Sequence, residues 1–516
     1  MTDIPWLTLA IALPAVGALA LALVPRERPE LAKRLAFGVS AGTLLLVATM
    51  ASGFSPDGPR MQFTESHPWI PRFGVSYSVG VDGVALLLIL MAAVLVPLVL
   101  LAAWRESDTG PSGGGHGYFA LILLLEAMMI GVFAATDVFL FYVFFEAMLI
   151  PVYFMIGRYG RGEQRRRAAV KFLLYSLLGG LLMLAAVIGV YVIGGTFRWD
   201  ELTGGALAGA DTAALRWIFL GFFVAFAIKA PMWPLHTWLP DAAGSSRPGT
   251  AVLLVGVLDK VGTYGMLRYC LELFPGAAAW FVWPVVVLSL VSILYGAVLA
   301  IGQSDMLRLI AYTSVSHFGF ITLGIFVMTT QGQSGAALYM INHGFATGAL
   351  FLLVGFLIAR GGSAAIADYG GVQKGAPVLA GTFLLAGLAA LSLPGLSPFI
   401  SELLVFVGTF AFHPVPAVIA TVGVVLAALY ILWLYQRTMT GPLPDSLARI
   451  SDLSRREVWA VGPLLALIVL FGVYPQPLLD VINPAVEQTM QQLDPPDPAF
   501  LPGDVLTADG QEGGHE

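Results

Sequence analysis

Six ionisable side chains sit inside long apolar runs of this chain: Glu146, Lys229, Lys260, His317, His343 and Glu402. A carboxylate or ammonium near the centre of a bilayer costs about 2.5–3.5 kcal/mol even on insertion scales, so four of them facing lipid would cost on the order of 10 kcal/mol. They must face one another, water, or both. Carboxylates, amines and imidazoles in one connected line are groups that hand protons on, and an imidazole of ordinary pKa, about 6.5, exchanges them near neutrality. The chemistry predicted here is proton transfer through the interior.

Glu146 lies in FYVFFEAMLIPVYFMIGRYG, residues 141–160, whose apolar neighbours leave no polar stripe on its own helix. Its partner must come from another element, and Lys229, two residues before Pro231, is the expected one. Opening or closing that contact would change how tightly the lysine holds its proton; a static salt bridge is the structural alternative. Lys260 lies in VLLVGVLDKVGTYGMLRYC, where Gly256, Gly262 and Gly265 permit close helix approach. Asp259, about 100° around the helix from Lys260, need not pair with it and is open to a neighbouring helix or chain. His317 closes the polar stretch RLIAYTSVSHFGF, and His343 lies in YMINHGFATGALFLLVG. Either alone reads equally well as a hydrogen-bonded packing residue. With serines, threonines and ordered water they bridge Lys260 to Glu402. The expected path is Glu146, Lys229, Lys260, His317 with His343, then Glu402. Glu126 is expected as an entrance or helix-contact residue, and Asp137 and Glu272 as ordinary helix-end residues.

The elements that must hold these groups are membrane spans. The 516 residues are 58% hydrophobic and 11% charged, far from the soluble globular range. Fourteen spans are expected, at 5–24, 35–54, 82–103, 117–133, 136–157, 168–194, 214–232, 248–272, 278–300, 307–328, 336–359, 377–410, 416–438 and 458–478. The first has no basic residue before it and no small-residue cleavage pattern after it, so it reads as a retained helix. The single cysteine, Cys270, excludes a disulfide framework, a Cys-ligated zinc site and an iron–sulfur cluster. A net charge of -6 without a basic tail argues against nucleic acid as a partner. There is no Walker loop, GxGxxG or CxxCH, so energy must come from an ion gradient or a neighbouring protein. Arginine and lysine concentrate in alternate loops, such as GRYGRGEQRRR, which places those loops in the cytoplasm and both termini outside. Trp69, Phe73 and Tyr77 of the long second outer segment suit the headgroup region, and the acidic tail after about 480 is expected to be surface-lying or loose.

Prolines 231, 234 and 240 in IKAPMWPLHTWLPDA, and 394 and 398 in LSLPGLSPFISELL, predict two discontinuous helices. Broken helices in corresponding places of two halves are the sequence sign of internal repeats in a transporter. The predicted organisation is three N-terminal helices over 1–116, a five-helix repeat over 117–272, a second over 278–438, and a C-terminal helix with an outward tail over 439–516. An odd helix count inverts the second repeat relative to the first. The fold class is thus an all-α polytopic membrane protein of about fourteen helices.

FEAMLIPVYFMIG, FAIKAPMWPLHTWLPDA, LLVGVLDKVGTYG, RLIAYTSVSHFG, NHGFATGALFLLVG and LPGLSPFISELL, in that order, resemble the signature segments of subunit M (chain 4) of NADH-quinone oxidoreductase, respiratory complex I. The likeness runs from about 80 to 480. The wider family includes subunits L and N, large subunits of sodium/proton antiporters, and membrane subunits of related hydrogenases; an antiporter or hydrogenase subunit is the alternative reading. The resemblance implies that Glu146 and Lys229 are the glutamate–lysine pair, Lys260 the central lysine, His317 and His343 relay residues, and Glu402 the terminal glutamate. It implies no cofactor in this chain, with FMN, iron–sulfur clusters and quinone chemistry in other subunits, and L-like and N-like membrane subunits and lipids as partners. The absence of a long lateral helix after the last span points away from subunit L. The sequence departs from the family pattern at Ala243, Ser245 and Leu307, near the predicted cytoplasmic ends of helices, so proton uptake there is expected to differ in detail.

Overall fold

The computed structural model describes residues 4–25, 27–105 and 115–493. Thirteen of its helices are long and apolar enough to cross a membrane. Spans 1 to 5 are Trp6–Leu23, Pro29–Ser52, Gly83–Ala102, His116–Ala134 and Val138–Gly157; spans 6 to 8 are Arg165–Gly194, Thr212–Lys229 and Pro248–Leu271. Spans 9 to 11 are Pro275–Ile301, Met306–Phe326 and Thr330–Gly361; spans 13 and 14 are Pro414–Met439 and Arg455–Val473. Span 12 is split into Pro377–Ala390 and Ser397–Phe412, each too short to cross alone, so the expected twelfth span, 377–410, is present in two pieces.

A chain with few charges places several of them at helix starts. Asp82, Asp137, Asp211 and Asp305 are the N-caps of spans 3, 5, 7 and 10, each accepting from backbone N–H groups of the first turn. Such a cap contributes about 1 kcal/mol and puts negative charge at the positive end of the helix dipole. Asp137 therefore does the helix-end work expected of it.

Burial separates core from flank. The apolar windows of spans 8 and 11 are 100% buried and that of span 10 is 94%, against 33% for spans 1 and 6, so the three middle spans form a core screened from lipid. Small residues let their neighbours close on it. A Cβ on Gly296 of span 9 would stand 2.7 Å from the Ser316 nitrogen, and one on Gly319 of span 10 would stand 2.7 Å from the Ser289 oxygen. The two backbones touch there, and alanine at either position would push them apart.

The all-α class holds, with three local features that the sequence does not indicate. First, β1 (Gln62–Ile70) and β2 (Val75–Val81) form an antiparallel hairpin with Glu65 opposite Val79 and His67 opposite Tyr77. The hairpin is tied to span 1, because the Glu65 carboxylate accepts from the Leu7 N–H at 2.9 Å and from Thr8, whose hydroxyl also lies 2.9 Å from that of Tyr77. Trp69 and Phe73 are exposed as expected, whereas Tyr77 is half-buried. Second, the tail expected to be surface-lying or loose after about 480 begins as a helix, Gln476–Gln492, packed on spans 3 and 11; residues 494–516 lie outside the described residues. Third, span 8 is not a regular α-helix: Leu254–Leu258 and Met266–Leu271 are π-helical turns flanking Lys260–Gly265.

Candidate proton-transfer site

The helix of span 7 ends on Lys229, and chain resumes as helix at Trp238–Ser245. Pro231 and Pro234 fall in the gap, where their missing N–H groups cost no helical hydrogen bond; Pro240 sits in the first turn of the second piece, where proline is tolerated. The break satisfies its own backbone: the Trp238 indole donates to the Ile228 carbonyl at 2.8 Å, and the Met232 N–H to Ala227 at 3.0 Å. Lys229 is 1% exposed, and its Nζ finds no hydrogen-bond partner among the described residues. It stands instead 4.8 Å from the ring centre of Phe145 and 5.8 Å from that of Phe172.

Glu146, one residue after Phe145, is half-buried, and its Oε1 likewise has no hydrogen-bond partner among the described residues. A Cβ on Gly180 of span 6 would collide with this carboxylate, so the glycine makes the space that the carboxylate fills. The charges of Glu146 and Lys229 interact, but the direct contact expected from the sequence is not closed.

The irregularity of span 8 positions Lys260. Its Nζ donates to the Val255 carbonyl of the first π-turn at 2.5 Å and lies 2.7 Å from Nδ1 of His343 on span 11. The expected path runs from Lys260 to the two histidines, and His343 is the one it meets; the Val255 carbonyl is not foreseen, because the π-turn, a feature frequent at functional sites, is not readable from the sequence. Asp259 is fully buried, and neither of its oxygens has a hydrogen-bond partner among the described residues.

The line continues on span 10. The rings of His317 and His343 are 5.1 Å apart, edge to face. Tyr339, one helical turn before His343, does not stand out in the sequence; its ring lies 5.9 Å from that of His317 and 6.4 Å from that of His343. The i,i+4 spacing of Tyr339 and His343 was the available signal. Glu402, 6% exposed, lies on the second piece of span 12, and Ser392 lies in the break between the two pieces. Ser392 has φ +59°, a left-handed conformation that a non-glycine residue adopts at a cost on the order of 1 kcal/mol or more. Asn342 fastens span 11 to the second piece of span 12, donating to the Ser397 carbonyl and the Ser401 hydroxyl, both at 2.8 Å.

Away from this line, Asp241 on Trp238–Ser245 accepts from Lys171 at 2.7 Å and Arg308 at 2.6 Å. Burial alone would raise its carboxyl pKa, but these two cations outweigh it and hold it below its ordinary value of 3.8. Ala243 and Leu307 are fully buried in apolar packing, and the Ser245 carbonyl accepts from the Arg161 N–H at 2.6 Å. Glu126 is fully buried, with both oxygens unpartnered among the described residues, so it does not stand at an exposed entrance. Glu272 is not an ordinary helix end. It is buried and accepts from Arg60, from the Trp199 indole at 3.1 Å and from Thr489 at 2.7 Å.

A protein-family profile described as NADH:quinone oxidoreductase/Mrp antiporter, TM, matches residues 135–428, the stretch that holds all six predicted site residues. The chain is 53% identical to NADH-quinone oxidoreductase subunit M of Mycobacterium tuberculosis over 97% of its own length and 96% of the relative's. It is similar, with a TM-score of 0.85 and 35% identity, to a chain in the respiratory complex I from Thermus thermophilus with bound NADH, covering 94% of this chain and 99% of that one. A chain of the Mrp complex from Dietzia sp. DQ12-45-1b shares the fold with a TM-score of 0.85 at 23% identity, covering 96% of this chain and 100% of that one.

Proposed function

We infer the working of this protein from one premise: the chain belongs to the subunit M family of NADH-quinone oxidoreductases, within the wider group of antiporter-like membrane subunits. It is a multi-pass, proton-translocating membrane subunit of that complex, and its partners are other membrane subunits. NADH oxidation and quinone reduction then take place on other subunits, which carry FMN, iron–sulfur clusters and the quinone, while this chain holds no redox centre. It uses their energy at a distance. The arginine-rich loops face the cytoplasm of a bacterial inner membrane and both termini face outward, the arrangement that the positive-inside bias supports. Spans 4–8 and 9–13 form the two inverted repeats, each with one broken helix.

Protons move along Glu146, Lys229, Lys260, His343 with His317, and Glu402. The observation that carries this reading is the 2.7 Å contact between Lys260 Nζ and His343 Nδ1 within a fully buried core. A buried amine beside an imidazole is poor structural cement, because both groups are bases and one must be neutral. It is, however, a competent step for a proton. The other five members are buried, whereas Glu146 is half-buried at the flank. Glu146 is therefore the group that a neighbouring L-like or N-like subunit can reach, and an electrostatic change there perturbs Lys229 first, then Lys260, and ends in release near Glu402. Replacing Lys229 with alanine should abolish NADH-driven proton uptake into proteoliposomes while the complex assembles; an unchanged number of protons per NADH rejects the reading.

The shared fold with the Mrp chain favours a second reading, ion exchange without redox partners. Sodium-dependent proton exchange in vesicles given no NADH would support that reading instead.

A further inference from the structure

Asp259 and Lys260 are adjacent in sequence but serve opposite sides of span 8. Gly262, one turn after Asp259 on the same face, packs on the end of span 7: its Cβ would stand 2.6 Å from both the Phe226 oxygen and the nitrogen of Ala230, the residue after Lys229. Gly256, one turn before Lys260, packs on span 11: its Cβ would stand 3.6 Å from the oxygen of Gly344, the residue after His343. Span 8 thus turns Asp259 toward the lysine that ends span 7, and Lys260 toward the imidazole of span 11. The Asp259 charge interacts with both Lys229 and Lys260.

The carboxyl is fully buried, yet no donor among the described residues fixes either oxygen. Buried carboxylates kept for structure are locked by hydrogen bonds, as Asp82 is by Arg268 at 2.5 Å and the Ala85 N–H at 2.9 Å. A carboxyl without such donors keeps both oxygens open to a proton. Lys229 and Lys260 are otherwise like charges, and a proton cannot pass directly from one ammonium to another.

We propose that Asp259 is a proton-carrying residue that joins Lys229 to Lys260 across span 8. The Lys229 ammonium gives its proton to the Asp259 carboxylate, leaving a neutral amine and a carboxylic acid. The acid then gives that proton to the neutral Lys260 amine, restoring the carboxylate and forming the ammonium that faces His343. Each step moves one proton and leaves the total charge of the three groups unchanged. This rests on the proton path proposed above and adds a member that the resemblance does not supply.

The test uses the whole complex in proteoliposomes, reading NADH-driven proton uptake, quinone reduction and assembly. Asp259→Asn keeps the shape and removes the carboxyl, so uptake should fall by about tenfold or more; Asp259→Ser serves the same purpose should the asparagine variant fail to assemble. Asp259→Glu should restore most of the uptake, a rescue that a merely space-filling role would not need. Lys229→Ala and Lys260→Ala are measured alongside. Wild-type uptake in Asp259→Asn or Asp259→Ser with loss in both lysine variants overturns this proposal alone. Failure of Asp259→Glu to restore uptake in an assembled complex also overturns it. Wild-type uptake in all the variants would remove the proton path itself.

Discussion

Gly180 on span 6 and Glu146 on span 5 fit as hollow and peg: the glycine has no side chain where the carboxylate lies, and a single added methyl would overlap it. Overpacking of this kind costs about 1–3 kcal/mol, absorbed either by the helices or by the flexible carboxylate. Because the far end of a side chain is what must move, Gly180→Ala should assemble and displace Glu146. The expected outcome is a lower proton-to-NADH ratio at near-normal complex abundance on a native gel, with Gly179→Ala, whose nearest neighbours are Ala225 and Ile228 of span 7, as the neighbouring control.

Lys260 and His343 should fail together. If the 2.7 Å contact is a step of transfer, Lys260→Ala and His343→Ala each lower NADH-driven uptake by about tenfold or more, and the double variant is no worse than either. Additive losses in proteoliposomes would show that the two act separately.

Acid should act on the Asp241 junction in a defined direction. Lys171 and Arg308 hold that carboxyl below 3.8 against the effect of burial, so its contribution to stability is complete above 3.8 and is lost as pH falls through the lower folded value. The pairs are about one-third exposed, and screening limits each to about 1 kcal/mol or less. Asp241→Asn lacks the contribution at every pH. Thermal stability of the two purified complexes should therefore differ by a constant amount above about pH 5 and converge below 3.8.

The helix Gln476–Gln492 should loosen when Glu272 is removed. Glu272 joins Arg60 of the segment before β1, Trp199 after span 6, and Thr489 of that helix, with Arg268 at 3.6 Å from its Oε2. Truncating one member of a buried ionic group leaves the others uncompensated, at about 3–5 kcal/mol. Glu272→Leu should speed amide exchange over 476–492 and leave exchange in span 11 little changed.

The membrane architecture was legible because apolar runs and alternating arginines are properties of the chain itself. The six site residues stood out for the same reason: a charge such as Glu146 or Lys260 within an apolar run has few structural uses. Prolines 231, 234 and 394 marked both breaks, since their rings cannot continue a helix. What was missed is tertiary. Prolines 68 and 71 and mixed polarity hid β1, and prolines 475, 477 and 484 masked the helix Gln476–Gln492. Asp259 was correctly separated from Lys260 by the helical angle, but nothing in one sequence states which neighbour the other face meets. Tyr339 reads as one more aromatic until span 11 is placed beside span 10.

Lys229 closes its helix with two phenyl rings beside its ammonium and the negative end of the helix dipole behind it. Ring faces attract a cation yet offer no lone pair for a proton to settle on. The charge is thus cushioned and insulated at once, held by soft forces that do not compete with the next acceptor. Any substitution that trades Phe145 or Phe172 for a basic side chain would create a short circuit where the fold now keeps an insulator.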